Sequence, residues 1–314
     1  MQVFSDIDEL RASGIAKKGT AVAIGKFDGV HPGHRKLLSE IKKEKGKGLS
    51  SLVFTFERSV GDLFSGTRSP VITTNEEKIR IFEEEGIDLL YIMPVDHHTV
   101  SIEPESFVRD ILAEGLSARM IAAGPDLSFG DGGRGDMKLL MRLSDELSMD
   151  VREIEKVRYE GEEISSTLIR DAILEGDMER TSGMLGRPYS IRGEVIRGKQ
   201  LGRKIGMPTA NTEFPEEKIL PPKGVYFSRV YLKDRILKGI TNIGIRPTVS
   251  DGDRVNAETH IFDHEGDIYG ETIKVELLKY HRGEKRFDDI EKLKKQMYDD
   301  SIKALTFFRE TEKS

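Results

Sequence analysis

Two imidazoles separated by a proline and a glycine, His31-Pro32-Gly33-His34, stand where a short apolar run, Ala21-Val22-Ala23-Ile24, gives way to helical spacing at Leu37, Leu38 and Ile41. A strand-to-helix turn of this kind exposes unpaired N–H groups at a helix N-terminus, which attract phosphate. Gly33 permits close backbone approach and the two rings can point at one bound anion. The same spacing also suits two surface histidines or a metal pair. Further along, Ser165, Ser166 and Thr167 precede a short helical pattern that carries Arg170 and ends at Gly176, so the hydroxyls read first as a helix cap. A third stretch is rich in glycine: Gly198, Gly202 and Gly206 surround Lys204 and lead into Pro208-Thr209-Ala210-Asn211. The chain has no P-loop consensus, so phosphate handling here needs another cradle, and a glycine-rich loop supplies one. Finally, alternation along 257–261 places Glu258 and His260 on one face of a strand, opposite Ala257, Thr259 and Ile261. Such a carboxylate is either an ordinary surface group or part of the strand's one functional face.

These residues need two kinds of scaffold. From Thr20 to about Leu147, apolar runs at 21–24, 51–56, 88–93 and 119–123 alternate with helical patterns at 34–43, 76–85, 104–112 and 137–147. Strands alternating with helices predict a parallel sheet covered on both faces, with right-handed crossovers. After Gly186-Arg187-Pro188 the pattern changes to five strand candidates, 189–197, 224–232, 236–243, 257–262 and 272–280, with no helix between them. Ile273, Val275 and Leu277 alternate with charged neighbours, the period of a half-buried antiparallel strand, and a small β-barrel follows because closure removes exposed edges. A terminal helix over 288–306 carries Ile290, Leu293 and Met297 on one face, expected to lie against the barrel. The expected division is 1–184 and 185–314.

A chain of 314 residues exceeds the usual span of one domain. Hydrophobic residues make up 37% and charged residues 33%, and mean hydropathy is -0.43, the profile of a globular protein with a solvated surface. The absence of cysteine excludes disulfide frameworks, thiolate zinc sites and cysteine nucleophiles, and suits a reducing cytoplasm. The first ten residues carry no basic segment or long apolar run, so neither a signal peptide nor a membrane anchor is expected. A net charge of -6 speaks against broad binding to nucleic acid, and anionic substrates must be held locally. Self-association is left open.

The ten residues Gly25-Lys26-Phe27-Asp28-Gly29-Val30-His31-Pro32-Gly33-His34 resemble the extended HxGH signature of nucleotidylyltransferases in its FAD synthetase form. Ser165-Ser166-Thr167-Leu168-Ile169-Arg170 resembles the SSTxIR segment of the same enzymes, and Gly124-Pro125-Asp126-Leu127-Ser128-Phe129-Gly130 their GxDFxFG loop. Pro208 to Asn211 resembles the PTAN signature of riboflavin kinases, with Gly224-Val225-Tyr226, the stretch from Asn242 to Thr248 and Glu258-Thr259-His260-Ile261 following in family order. The chain thus resembles the bifunctional riboflavin kinase/FMN adenylyltransferase family. The resemblance implies a Rossmann-like α/β adenylyltransferase domain followed by a β-barrel kinase domain, with riboflavin, FMN, FAD, ATP, ADP and pyrophosphate as substrates and products. It implies that His31 and His34 stabilise charge on ATP phosphates without a covalent intermediate. Gly25, Phe27, Asp28, Gly33, Asp126, Ser166, Thr167 and Arg170 would bind the nucleotide with them. In the kinase half, Gly198, Gly202, Lys204, Gly206, Pro208, Thr209 and Asn211 would hold ATP, Thr209 and Asn211 with Mg²⁺. Glu258 would be the base toward the riboflavin 5′-hydroxyl, and Arg282 and Glu284 would meet the flavin.

Two departures stand out. After Phe54-Thr55-Phe56 the family carries an acidic residue and Pro-His-Pro, whereas this chain reads Glu57-Arg58-Ser59-Val60; Tyr280-His281-Arg282-Gly283-Glu284 departs mildly from Leu-Arg-Pro-Glu. The alternatives are a kinase with a weak or inactive adenylyltransferase domain and a non-catalytic flavin-binding regulator. His97, His98 and His264 read as surface groups.

Overall fold

The computed structural model describes residues 1–198, 202, 206–246 and 254–312. They form two compact units, Met1–Ser166 and Thr167–Ser314.

The first unit is built on six parallel strands: β1 (Gln2–Phe4), β2 (Thr20–Ile24), β3 (Ser50–Phe56), β4 (Leu89–Met93), β5 (Ala118–Ala123) and β6 (Asp150–Glu153). Their order is β1-β4-β3-β2-β5-β6. Period-two alternation sorts the strand side chains into two cores. Val22, Ile24, Leu52, Phe54, Ile121 and Ala123 face one way with α1 (Ile7–Ser13) and α5 (Met137–Leu147). Ala21, Ala23, Val53, Leu90 and Ala122 face the other, against α2 (Pro32–Lys43) and α4 (Asn75–Glu84). Between these last two helices lies a short one, α3 (Val60–Ser65), which begins at the last residue of the segment whose sequence departs from the family. Burial of Leu37, Leu38 and Ile41 fastens α2 to the sheet, at roughly 1.5–3 kcal/mol per side chain. Thr74 and Glu77 close a reciprocal capping box at the start of α4.

Chain direction across the sheet reverses at β2. β3 and β4 lie on one side and β5 and β6 on the other, so a crevice opens at the carboxyl end of β2, the ligand position of open α/β sheets. The helix expected over 104–112 takes another form: one α turn, Pro104–Ser106, continues as a π-wound segment, Phe107–Gly115. That winding keeps Phe107, Val108, Leu112 and Gly115 buried, and a side chain at Gly115 would strike Ile7.

The second unit begins on α6 (Ser166–Glu175, from its second residue) and continues through α7 (Met178–Leu185), which ends at Gly186 in the left-handed conformation. Six antiparallel strands follow: β7 (Tyr189–Glu194), β8 (Ala210–Glu213), β9 (Gly224–Leu232), β10 (Arg235–Arg246), β11 (Arg254–Ile261) and β12 (Thr272–Gly283). Their order is β7-β12-β9-β10-β11-β8, and a bridge between Ile196 and Asn211 nearly closes the sheet on itself. The sixth strand, β8, falls in the stretch read from sequence only as a phosphate loop. The terminal helix α8 (Ile290–Thr311) is capped by Asp289. Its buried side is Asp300, Ser301, Ala304 and Phe308, whereas Ile290, expected on the inner face, is exposed. Among the described residues no helix is long and apolar enough to cross a membrane.

Candidate active sites

In the first unit the histidine loop leaves β2 and makes a tight reversal with Phe27, Gly29 and Val30 all at positive φ. Two of these are not glycine, a strain that persists only where surrounding structure over-determines it. Phe27 and Val30 are fully buried, and Asp28 is buried with one carboxylate oxygen accepting the backbone N–H groups of Ile72 (2.8 Å) and Thr73 (3.1 Å). Phe27 and Asp28 thus hold the loop in place and are not among the residues lining the cleft. His31 sits at the N-cap of α2 with Pro32 as the first helical residue, and its ring stacks on His34 at a centroid distance of 3.7 Å. A side chain at Gly33 would come within 3.1 Å of the His31 ring.

Around them lies a cleft of about 280 Å³, walled by Gly25 and Lys26 after β2, Phe56 ending β3, Gly124 and Asp126 after β5, and Glu155 and Lys156 after β6. Gly33, Ser165 and Ser166 complete it. The Ser166 hydroxyl donates to the Asp28 carbonyl at 2.9 Å, joining two segments 138 residues apart in the chain. Thr167, exposed, and Arg170, half-buried, stand on α6 and are counted with the second unit. Lys156 lies 3.4 Å from Asp126. Sequence reading missed it, because the strand it follows, β6, was not among those read from the sequence. Lys26, Lys156, the imidazoles and the positive end of the α2 dipole make the floor suited to phosphate.

In the second unit the candidate residues share one register row. Asn211 on β8 pairs Glu258 on β11, which pairs Asn242 on β10. Asn242 pairs Val225 on β9, and Val225 pairs Arg282 on β12. Directly opposed residues project from the same face of a sheet, so an amide, a carboxylate, a second amide and a guanidinium align across five strands. Asn256, two residues before Glu258, donates to the Asn211 amide oxygen at 3.0 Å and approaches Glu258 at 3.5 Å. Asn242 and Asn256 were given no role in the sequence; only strand pairing brings them here.

Two clefts meet at this row. One, about 350 Å³, is lined by Gly198, Pro208, Thr209, Asn211 and the loop from His264 to Tyr269. The other, about 190 Å³, is lined by Gly202, Thr209, Asn242, Glu258, Arg282 and Glu284, with Leu293, Met297 and Asp300 from α8. Thr209 belongs to both. Gly198 passes so near that a side chain there would lie 2.6 Å from the Asn211 amide, and one at Gly202 would strike the Met207 carbonyl. His260 fixes Pro208 through its carbonyl at 2.9 Å. Gly206 takes positive φ in the turn outside both linings, and Lys204 lies outside the described residues. His264, expected at the surface, instead lines the larger cleft, with both ring nitrogens buried and lacking a hydrogen-bond partner.

Against known proteins, residues 185–308 match the riboflavin kinase family model and residues 14–168 the FAD synthetase model. A bifunctional riboflavin kinase/FMN adenylyltransferase of Escherichia coli strain K12 is 36% identical over 295 residues, covering 93% of this chain and 94% of that protein. The chain belongs to the bifunctional riboflavin kinase/FMN adenylyltransferase family. The family's Bacillus subtilis member is 34% identical, with 92% of each chain covered. A solved structure described as a macrolide-efflux protein from Streptococcus pneumoniae has the same fold, with a TM-score of 0.83, 29% identity and coverage of 96% and 97%. The resemblance read from the motifs is therefore borne out along both halves.

Proposed function

We propose that the chain performs two transfers from ATP at separate sites: riboflavin to FMN with release of ADP in the barrel unit, and FMN to FAD with release of pyrophosphate in the parallel-sheet unit. The observation that carries the kinase reading is the direct pairing of Asn211 with Glu258 beside Thr209, the residue common to both clefts. The nucleotide occupies the larger cleft and riboflavin the smaller, with Arg282 and Glu284 on the flavin side. Glu258 accepts the proton of the riboflavin 5′-hydroxyl as that oxygen attacks the terminal phosphorus. Thr209 and Asn211 orient the phosphates.

Both residues offer hard oxygens, and the Asn211 carbonyl keeps one lone pair beyond the bond from Asn256, so the donor set fits Mg²⁺. Among the described residues no cluster of three His, Asp or Glu could hold a metal, so a cation here shares its shell with nucleotide oxygens and water. When bound it supplies charge neutralisation on the phosphates. In the parallel-sheet unit His31, His34, Lys156 and the α2 N-terminus stabilise charge as the FMN phosphate attacks the α-phosphorus, by positioning and electrostatics alone. Ser166 adds its hydroxyl to the triphosphate grip. A cytoplasmic setting accords with the cysteine-free composition.

One product-resolved assay tests the whole reading. Full-length protein given riboflavin, ATP and Mg²⁺ is expected to form FMN first and FAD later, and FMN alone should yield FAD and pyrophosphate. Failure of the FMN reaction while riboflavin is still phosphorylated would leave only the kinase, the alternative that the departing segment 57–60 favours.

A further inference from the structure

Asp300 is a carboxylate almost wholly removed from solvent, on a helix outside the barrel sheet. Its side chain is 1% exposed. It is not left as a bare buried charge: one oxygen accepts from Arg282 Nε (3.2 Å) and Gln296 Nε2 (2.8 Å), and the other from Arg282 Nε (3.0 Å) and Nη2 (2.7 Å). Arg282 Nη1 also donates to the Gly283 carbonyl at 2.9 Å. A guanidinium has five N–H donors in a planar fork. Three are committed, which fixes the plane and leaves two for another partner. Arg282 is also the end of the register row that carries Glu258, and both line the smaller cleft.

We propose that Asp300 is a positioning residue of the kinase site, acting through Arg282. By holding the guanidinium before substrate arrives, it presents the two remaining N–H groups to the acceptor oxygens of the flavin and removes the cost of ordering a long side chain at binding. The terminal helix is thereby part of the flavin site and not only a cover for the barrel. This rests on the reading of the smaller cleft as the flavin side. A purely structural role, pinning α8 to β12, makes the opposite forecast for kinetics.

The test uses full-length protein and steady-state kinase kinetics. Asp300→Asn keeps the shape but turns an amide N–H toward the guanidinium. The riboflavin KM should rise about tenfold, with kcat, the ATP KM and FAD formation from supplied FMN within about twofold. In an Arg282→Ala background the same change should add less than about twofold, because its target is gone. Equal losses in both backgrounds, or a lowered melting temperature with unchanged riboflavin KM, would overturn the proposal. If Asp300→Asn does not fold, Gln296→Leu decides: it releases one hydrogen bond to Asp300 and should raise the riboflavin KM about threefold, and no change overturns the proposal. Glu258→Gln serves as the control for the site itself. If it abolishes turnover while the Asp300 and Gln296 variants leave riboflavin KM untouched, positioning fails and the flavin cleft stands; if it leaves turnover intact, the cleft assignment falls.

Discussion

The two sites are built by opposite means. In the parallel-sheet unit the lining residues come mainly from the carboxyl ends of β2, β3, β5 and β6, the segments that follow them, and the first turns of α2. In the barrel unit the candidate groups stand within strands, and hydrogen-bond register alone puts Asn211, Glu258, Asn242 and Arg282 in line. A loop-built site takes its accuracy from anchors such as buried Asp28, and from glycines that make room. A strand-built site takes it from the ladder, with each group fixed by the pairing that folds the domain.

If the two sites act independently, damage to one should not reach the other. The largest effect is expected from Glu258→Gln, which should lower riboflavin phosphorylation by about a hundredfold or more while ATP binding and FAD formation from supplied FMN persist; kinase turnover at the parent level would remove Glu258 as the base. His31→Ala should lower FAD formation by about a hundredfold and leave FMN formation alone. Equal loss of both activities would contradict separate sites.

A smaller effect sharpens the contrast between loop and ladder. Gly33→Ala places a methyl group 3.1 Å from the His31 ring, so the ring must yield by a few tenths of an ångström. Adenylyl transfer should fall about three- to tenfold. Melting temperature should hold or rise, since alanine favours the helix by about 1 kcal/mol over glycine. A loss of stability that matches the loss of activity would instead make Gly33 a folding residue.

The smallest effect concerns pH. Burial, opposed by Asp300 and assisted by Lys303 and Arg282, holds the His281 imidazole below the usual histidine range. The folded barrel therefore binds fewer protons than the unfolded chain just below pH ~6.5. The His281 contribution is fully present above that value and is lost as pH falls through the folded pKa. Thermal melts between pH 7 and 5 should show this slope, and His281→Phe, which keeps the stack on Phe227, should flatten it. Asp300, held low by Arg282 and Gln296 against burial, acts in a separate window below pH ~3.9, where acid removes its contribution.

The parallel sheet was legible because its strands are apolar runs punctuated by amphipathic helices, and the motif residues at its crevice sit beside the punctuation. Two of them, Phe27 and Asp28, turned inward: a ten-residue signature gives identities but not which side chains brace the turn. Lys156 escaped because nothing local distinguishes it from the many exposed lysines. In the barrel, β8 was invisible as a strand. It is four residues long, follows a proline and carries Thr and Asn, so period-two hydrophobicity has nothing to act on. Without β8 the pairing of Asn211 with Glu258 cannot be foreseen. The inner face of α8 was read only in part: Leu293 and Met297 line the smaller cleft as the spacing predicts, whereas Ile290 is exposed and an ion pair buries Asp300, which apolar spacing cannot foresee. The π-wound turn at Phe107–Gly115 carries no sequence signal distinct from an α-helix.

A five-strand register has an evolutionary corollary. Adding or deleting one residue inside β8, β10 or β11 would turn every later side chain of that strand to the other surface and carry an amide or the carboxylate out of the kinase row. Exchange of residues there keeps the row and a change of strand length breaks it, whereas the crevice segments of the other unit that follow β2, β5 and β6 lie outside any such ladder. Gaps among homologues should gather in the adenylyltransferase loops and spare the kinase ladder.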